Sequence, residues 1–247
     1  MSADAGRLFG VRTLVCGAAT GVGEAIARTC ARHAADVVAL DSGDSDVERR
    51  FNSVPHITGL ARPLSTEQAK DIVADVAKRL DGLDAVIVCT QLQPRQPIAD
   101  SEECERVVKA RLAELRRWFD AALPKLKRSP GGRFIAVGLL RSAFAVDAQP
   151  LSDDAEAALA GLVRELAAES GEAGITVNYV QPGAIMTAES RRVFGEHREL
   201  RDHCIRHSAA RRLGEPLDVA KAALFLASDD ATFVSGTGIA VDGGRAG

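Results

Sequence analysis

Short apolar runs alternate along this chain with longer stretches in which apolar residues recur every three or four positions. Runs that stay apolar without strict alternation read as strands covered on both faces, the habit of a parallel sheet under helices. Seven such runs fall at residues 12–16, 36–41, 56–60, 85–89, 133–137, 175–180 and 238–241. Helical spacing fills the intervals at 22–34, 66–80, 101–127, 153–170, 188–208 and 216–227. Asp153 and Asp154 suit the start of the fourth helix, and Pro216 suits the first turn of the last. Strands and helices then alternate. Right-handed crossovers close such a chain into a doubly wound α/β sheet of the Rossmann type. No linker, repeat or low-complexity tract interrupts the pattern, so residues 1–247 read as a single domain.

Composition narrows the function classes. The net charge of −3 gives no general attraction to nucleic acid, and aromatics at 4% are too few to build a stacking platform. No stretch is apolar for the length a membrane span needs, and the first ten residues carry no cleavage signature, so a cytoplasmic location is expected. The five cysteines, 16, 30, 89, 104 and 204, are scattered and odd in number, which favours reduced thiols over a disulfide or metal framework.

The first strand runs straight into Gly17-Ala18-Ala19-Thr20-Gly21-Val22-Gly23, and a helix follows. Glycines there permit a tight turn and close approach of phosphate oxygens, while the helix start offers free N–H groups to a diphosphate. Asp41 ends the second strand, where a carboxylate accepts from adenosine ribose hydroxyls. No basic residue adjoins it in sequence, which favours NAD over NADP. The bland alternative is that Asp41 is a strand-end turn residue.

With these residues, the chain resembles the short-chain dehydrogenase/reductase family. The resemblance rests on Gly17-x-x-x-Gly21-x-Gly23, on Gly131-Gly132-Arg133-Phe134-Ile135, and on Val177-Asn178-Tyr179-Val180-Gln181-Pro182-Gly183 with Thr187. It continues through Arg212-Leu213-Gly214-Glu215-Pro216 and Phe225-Leu226-Ala227-Ser228-Asp229 to Val241-Asp242-Gly243-Gly244. It implies a seven-stranded parallel sheet, a tetrameric assembly and NAD(P)-linked exchange between alcohol and carbonyl. It also implies cofactor contacts from Gly17, Thr20, Gly21, Val22, Gly23, Asp41, Pro182, Gly183 and Thr187.

The family's reaction uses a tyrosine as proton donor and acceptor, a lysine four residues later, a serine and an asparagine. By resemblance, those four positions are occupied here by Ser152, Glu156, Leu139 and Arg111. No shift of alignment restores the pair. The one tyrosine is Tyr179, inside the sixth strand, and no lysine occurs between Lys127 and Lys221. A serine hydroxyl is a far weaker acid than a phenol, whose pKa is about 10. On the adenosine side, Val88-Cys89-Thr90-Gln91 and Pro63 also replace the family's usual residues.

Residues 191–212 hold seven arginines (191, 192, 198, 201, 206, 211, 212) against Glu196, Glu199 and Asp202. They read either as a basic rim for an anionic ligand such as an acyl-CoA or as a solvated helix face. His203 and His207 are four apart but lack a supporting ligand, so no metal site is expected. Apolar residues at helical spacing in 104–126 and 155–166 read as core, and the family uses these two helices at a subunit interface. Arg111, Arg116 and Arg117 are candidates there for pairing with acids of another chain.

Some members of the family pair an inactive with an active subunit, hydroxyacyl-CoA dehydrogenases among them. The sequence reading is therefore a catalytically inactive subunit that assembles with an active homologue, with a homo-oligomer as the other assembly. The alternatives are an NAD(P)-dependent oxidoreductase acting through other groups, with Ser142, Ser152 or Glu156 as candidates, and a cofactor-sensing regulator.

Overall fold

The computed structural model describes residues 6–19, 21–63, 68–89, 101–138 and 149–244, with backbone alone at 101, 103, 104 and 149–154. The elements follow in the order β1 (Arg12–Cys16), α1 (Gly21–Arg32), β2 (Asp36–Asp41), α2 (Val47–Phe51), β3 (Ile57–Ala61), α3 (Ala69–Arg79), β4 (Ala85–Cys89) and α4 (Ser101–Leu126). Then come β5 (Arg133–Val137), α5 (Gln149–Ser170), β6 (Thr176–Pro182), α6 (Ala188–Glu196), α7 (Arg198–Arg206), α8 (Pro216–Ala227) and β7 (Gly238–Val241). The strands form one seven-stranded sheet in the order β3-β2-β1-β4-β5-β6-β7. Every pairing is parallel. The order reverses between β1 and β4, which opens a crevice at the C-terminal ends of those strands.

The two-residue period of the strands separates two cores. Leu14, Val38, Leu40, Val86, Val88, Phe134, Ala136 and Val177 face α3, α4 and α5. Val15, Val37, Ala39, Ile87, Ile135, Val137 and Val180 face α1, α2 and α8. Trp118 and Phe119 fill the first core from α4, and Phe119 meets Phe134 edge to face at 5.3 Å. Ile26 of α1 and Val219, Ala223 and Leu226 of α8 fill the second.

The elements depart from the sequence expectation in several places. The helix α2 was not expected. It is one turn long, and it exists to bury Val47 and Phe51, which lie on one face at i and i+4. Arg28 of α1 lies over the Phe51 ring, 5.0 Å from its centre. Helix α5 begins at Gln149 rather than at Asp153, so the two aspartates sit in its second turn. The stretch 188–208 is two helices rather than one. His197, with φ −119° and ψ 74°, leaves helical geometry two residues after Gly195, a weak helix former. Finally, β3 and β6 each begin one residue later than expected, and β6 runs on to Pro182.

Candidate functional site

The crevice is built first from the turn between β1 and α1. Gly17 adopts φ +75°, and a Cβ there would stand 2.5 Å from the Cys89 carbonyl oxygen at the end of β4. A Cβ on Gly23 would stand 1.9 Å from the Gly17 carbonyl oxygen. Only glycine permits the helix to approach the strand so closely. The amides of Gly17 and Ala18 both donate to the Leu40 carbonyl of β2, at 2.9 and 3.1 Å. Gly21 adopts φ +57° and opens α1. A Cβ there would lie 3.3 Å from Thr187 Cγ2, so its absence keeps space between the turn and the opposite wall. Thr20 lies outside the described residues.

Asp41 takes part in the same turn. Its Oδ2 accepts from the Ala19 N–H at 2.6 Å and its Oδ1 from the Ser42 N–H at 2.7 Å. The carboxylate therefore pins the glycine turn to β2. Each oxygen retains a further acceptor position. The sheet also brings a basic residue beside it. The Arg62 N–H, one residue past β3, donates to the Asp41 carbonyl at 3.0 Å. The separation of Asp41 from any basic residue thus holds along the sequence and not across the sheet. Pro63 follows, exposed, and faces Gly43. Val88 belongs to the core, 2% exposed.

The opposite wall comes from the loop after β6. Pro182 ends the strand. The Gly183 N–H donates to the Val241 carbonyl at 2.8 Å, and a Cβ on Gly183 would stand 2.6 Å from the Asp242 Cβ. Thr187 caps α6. Its hydroxyl accepts from the Ser190 N–H at 3.1 Å, and the Ser190 hydroxyl accepts from the Thr187 N–H at 2.7 Å. This reciprocal cap, Thr187-x-x-Ser190, is a capping box with a serine in place of the usual Glu or Gln.

What suits a dinucleotide's diphosphate is the helix N-terminus at the start of α1, since the Gly17, Ala18 and Ala19 N–H groups are already engaged by Leu40 and Asp41. The ribose side fits through the acceptor positions that Asp41 retains. Val22, 6% exposed, has its side chain in the core under α1.

The side where the family's proton chemistry would lie is different. Arg111, on α4, is half-buried and paired with Glu114 at 3.0 Å. Glu156 lies on α5, half-buried, next to Ala155, which packs against Val108 of α4. The structure thus brings positions 111 and 156 to adjoining helices. Leu139 and Ser142 lie outside the described residues, and so does the Ser152 side chain. Arg116 bridges α4 and α5, reaching Asp120 at 2.9 Å, Glu165 at 3.1 Å and Glu169 at 2.9 Å. Arg111 and Arg116 therefore meet acids of their own chain, where the sequence reading had offered them to another.

The one tyrosine lies in the core. Tyr179 is 8% exposed and belongs to the core between sheet and helices α4 and α5. Its ring fills the space over Gly238 of β7, where a Cβ would stand 2.1 Å from a ring carbon.

Other candidate groups are quiet. Cys16, Cys30, Cys89 and Cys204 are free thiols. Burial pushes Cys30 up to about 12 and raises Cys16 and Cys89 as well, so none is a ready thiolate. His203 and His207 stack with ring centres 3.9 Å apart. Burial, then the neighbouring His207 and Arg206, hold His203 below the ordinary histidine value. Among the described residues no three His, Cys, Asp or Glu side chains gather as a metal site. No described helix is long and apolar enough to cross a membrane. In the basic segment Arg201 pairs with Asp202, Arg212 with Asp218, and Arg211 donates to the Arg206 carbonyl.

Comparisons with known proteins agree with this architecture. A family model described as enoyl-(acyl carrier protein) reductase matches residues 17–246. The chain is 28% identical to a D-beta-hydroxybutyrate dehydrogenase of Rhizobium meliloti (strain 1021), covering 94% of this chain and 96% of that one. It is 29% identical to a 3-oxoacyl-[acyl-carrier-protein] reductase of Vibrio cholerae, covering 96% and 98%. A solved hydroxysteroid dehydrogenase from Escherichia coli superposes with a TM-score of 0.80 at 26% identity, covering 96% and 98%. A short-chain type dehydrogenase/reductase from Mycobacterium ulcerans superposes with a TM-score of 0.83 at 26% identity, covering 97% and 92%. The chain belongs to the short-chain dehydrogenase/reductase family of oxidoreductases.

Proposed function

We propose that this chain serves an NAD(P)-linked alcohol–carbonyl oxidoreductase as a subunit that does not itself carry the proton exchange, and that an active homologue of the same family supplies the missing phenol. The observation that carries this reading is the place of Tyr179. The one phenol of the chain packs in the core over Gly238, and no lysine lies between Lys127 and Lys221. The cofactor, when bound, accepts or donates the hydride. This chain's residues would bind and orient it: the start of α1 at the diphosphate, Asp41 at a ribose, and Pro182, Gly183 and Thr187 along the opposite wall.

A second reading has its own support. The relatives are named as dehydrogenases and reductases, which favours turnover by this chain itself through groups other than a Tyr–Lys pair. Glu156, half-buried on α5, is the candidate, since a carboxyl can exchange a proton with a substrate oxygen. A third, cofactor sensing, requires NAD(P) binding without turnover.

The test is NAD(P)-linked turnover of D-β-hydroxybutyrate, a 7α-hydroxysteroid and a 3-oxoacyl-CoA. The chain is assayed alone and after co-expression with family members encoded beside it that carry an intact Tyr-x-x-x-Lys. The first reading predicts no turnover alone and an active, co-purifying complex. Turnover by the chain alone that disappears in Glu156→Ala would establish the second.

A further inference from the structure

Between β6 and α8 the chain leaves the sheet, forms α6 and α7, and comes back at Gly214. This excursion is tied down at both ends. At its start the Met186 N–H donates to the Gly214 carbonyl at 2.8 Å, and the Gly214 N–H donates to the Ala184 carbonyl at 2.8 Å. At its end the tie is to the stretch that follows β7. The Ala209 N–H donates to the Gly244 carbonyl at 2.7 Å and the Ala210 N–H to the Gly243 carbonyl at 2.9 Å. The Ser208 hydroxyl donates to the Asp242 carbonyl at 3.2 Å.

The two helices themselves bury little. α6 buries Ser190 and Phe194 of its nine residues, and α7 buries Cys204 of its nine. Residues 195–199, where one helix gives way to the other, are all exposed. By contrast α1 buries seven of its twelve residues, and α8 six of its twelve. A segment with few buried contacts opens locally while the rest of the fold persists. Its closed position then depends on the ties at its ends. The second tie is shaped to fit. Gly243 adopts φ +73°, and a Cβ there would stand 2.4 Å from Ser208 Oγ and 2.9 Å from the Ala210 Cβ. The Asp242 carboxylate accepts from the Gly244 N–H at 3.0 Å and holds the bend.

We propose that α6 and α7 form a flap that opens as one unit while the sheet stays folded, and that residues 242–244 are the latch that keeps it closed. The flap begins at the crevice. Thr187, its cap, stands opposite Gly21, so opening withdraws that wall. The latch begins there too, because Val241, one residue before it, holds Gly183. One short stretch of chain therefore sets both the wall and the flap. The device goes beyond the proposed function and needs neither a cofactor nor turnover.

The test is hydrogen–deuterium exchange of the full chain without ligand, read by mass spectrometry. The amides of α6 and α7 and those of Ala209 and Ala210 exchange together, about 100-fold or more faster than those of β1, β4 and β5. Gly243→Ala speeds this set about tenfold further, and Ser208→Ala, which removes one hydrogen bond and little volume, about threefold. Sheet amides keep their wild-type rates in Ser208→Ala. Exchange of α6 and α7 no faster than that of the sheet overturns the proposal. So does fast exchange in the two helices with Ala209 and Ala210 as protected as the sheet, and so do wild-type flap rates in Ser208→Ala.

Discussion

The glycine-lined crevice and the seam between α4 and α5 are held together by different means. On the glycine-turn side almost every position is fixed by backbone contact. Gly17 meets Cys89, Gly23 meets Gly17, Gly183 meets Asp242, and Asp41 ties the turn to β2. On the α4–α5 side the seam is made of side chains: Val108 against Ala155, and Arg116 against Glu165 and Glu169. Backbone packing tolerates almost no substitution, because a Cβ at 2 Å has nowhere to go. Side-chain seams tolerate many. The glycine motif therefore testifies to the fold before it testifies to a cofactor. Each of its glycines has a packing reason that would persist if no dinucleotide ever bound.

Four substitutions sharpen that contrast, beginning with the largest effect. Gly23→Ala drives a methyl into the Gly17 carbonyl and is expected to cost about 3 kcal/mol or more, read as a lowered urea midpoint without any ligand. An unchanged midpoint would mean that the turn relaxes freely and that its glycines serve a ligand.

Arg12→Met probes the N-terminal edge of the sheet, away from both regions. Burial alone would raise the Asp84 carboxyl. Hydrogen bonds from the Arg12 side chain and N–H, at 2.7 to 2.9 Å, outweigh burial and hold it below its usual 3.8. A depressed folded value stabilises fully above the unfolded value and is lost as pH falls through the folded one. The variant should cost about 2 kcal/mol at neutral pH. Its deficit against the wild type should narrow as pH falls below 3.8.

Asp41→Asn keeps one acceptor and loses the other, so about 1.5 kcal/mol should go in the absence of any dinucleotide. A carboxylate that served only a ribose would leave apo stability untouched. Tyr179→Phe keeps the ring over Gly238 and should cost below about 1 kcal/mol, with no change in whatever turnover the chain or its complexes show. Loss of turnover there would return the phenol to the chemistry.

Much of this was legible in the sequence because periodicity reports burial directly. All seven strands and the two-core division follow from apolar runs, and Pro216 opens α8 as expected. The elements that escaped notice depend on contacts across the fold. The helix α2 forms around Val47 and Phe51, whose partners lie on α1 and β3. The break at His197 follows Gly195 rather than a proline. For the site, residue types announced the turn, Asp41 at the end of β2 and a single tyrosine inside a strand. They did not announce that Asp41 holds Ala19, that Arg62 arrives beside it from β3, or that residues 242–244 hold the end of α7. Those facts depend on sheet register and helix phase, which one strand or helix alone does not display.

The most direct test of the account is the rate of NAD(P)-linked turnover by the purified chain alone, set against the same chain complexed with a homologue bearing an intact Tyr-x-x-x-Lys. No rate above background is expected for the chain alone, and the rate in the complex is expected to depend on the homologue's tyrosine. Sustained turnover by the chain alone, abolished by Glu156→Ala and indifferent to any partner, would contradict it.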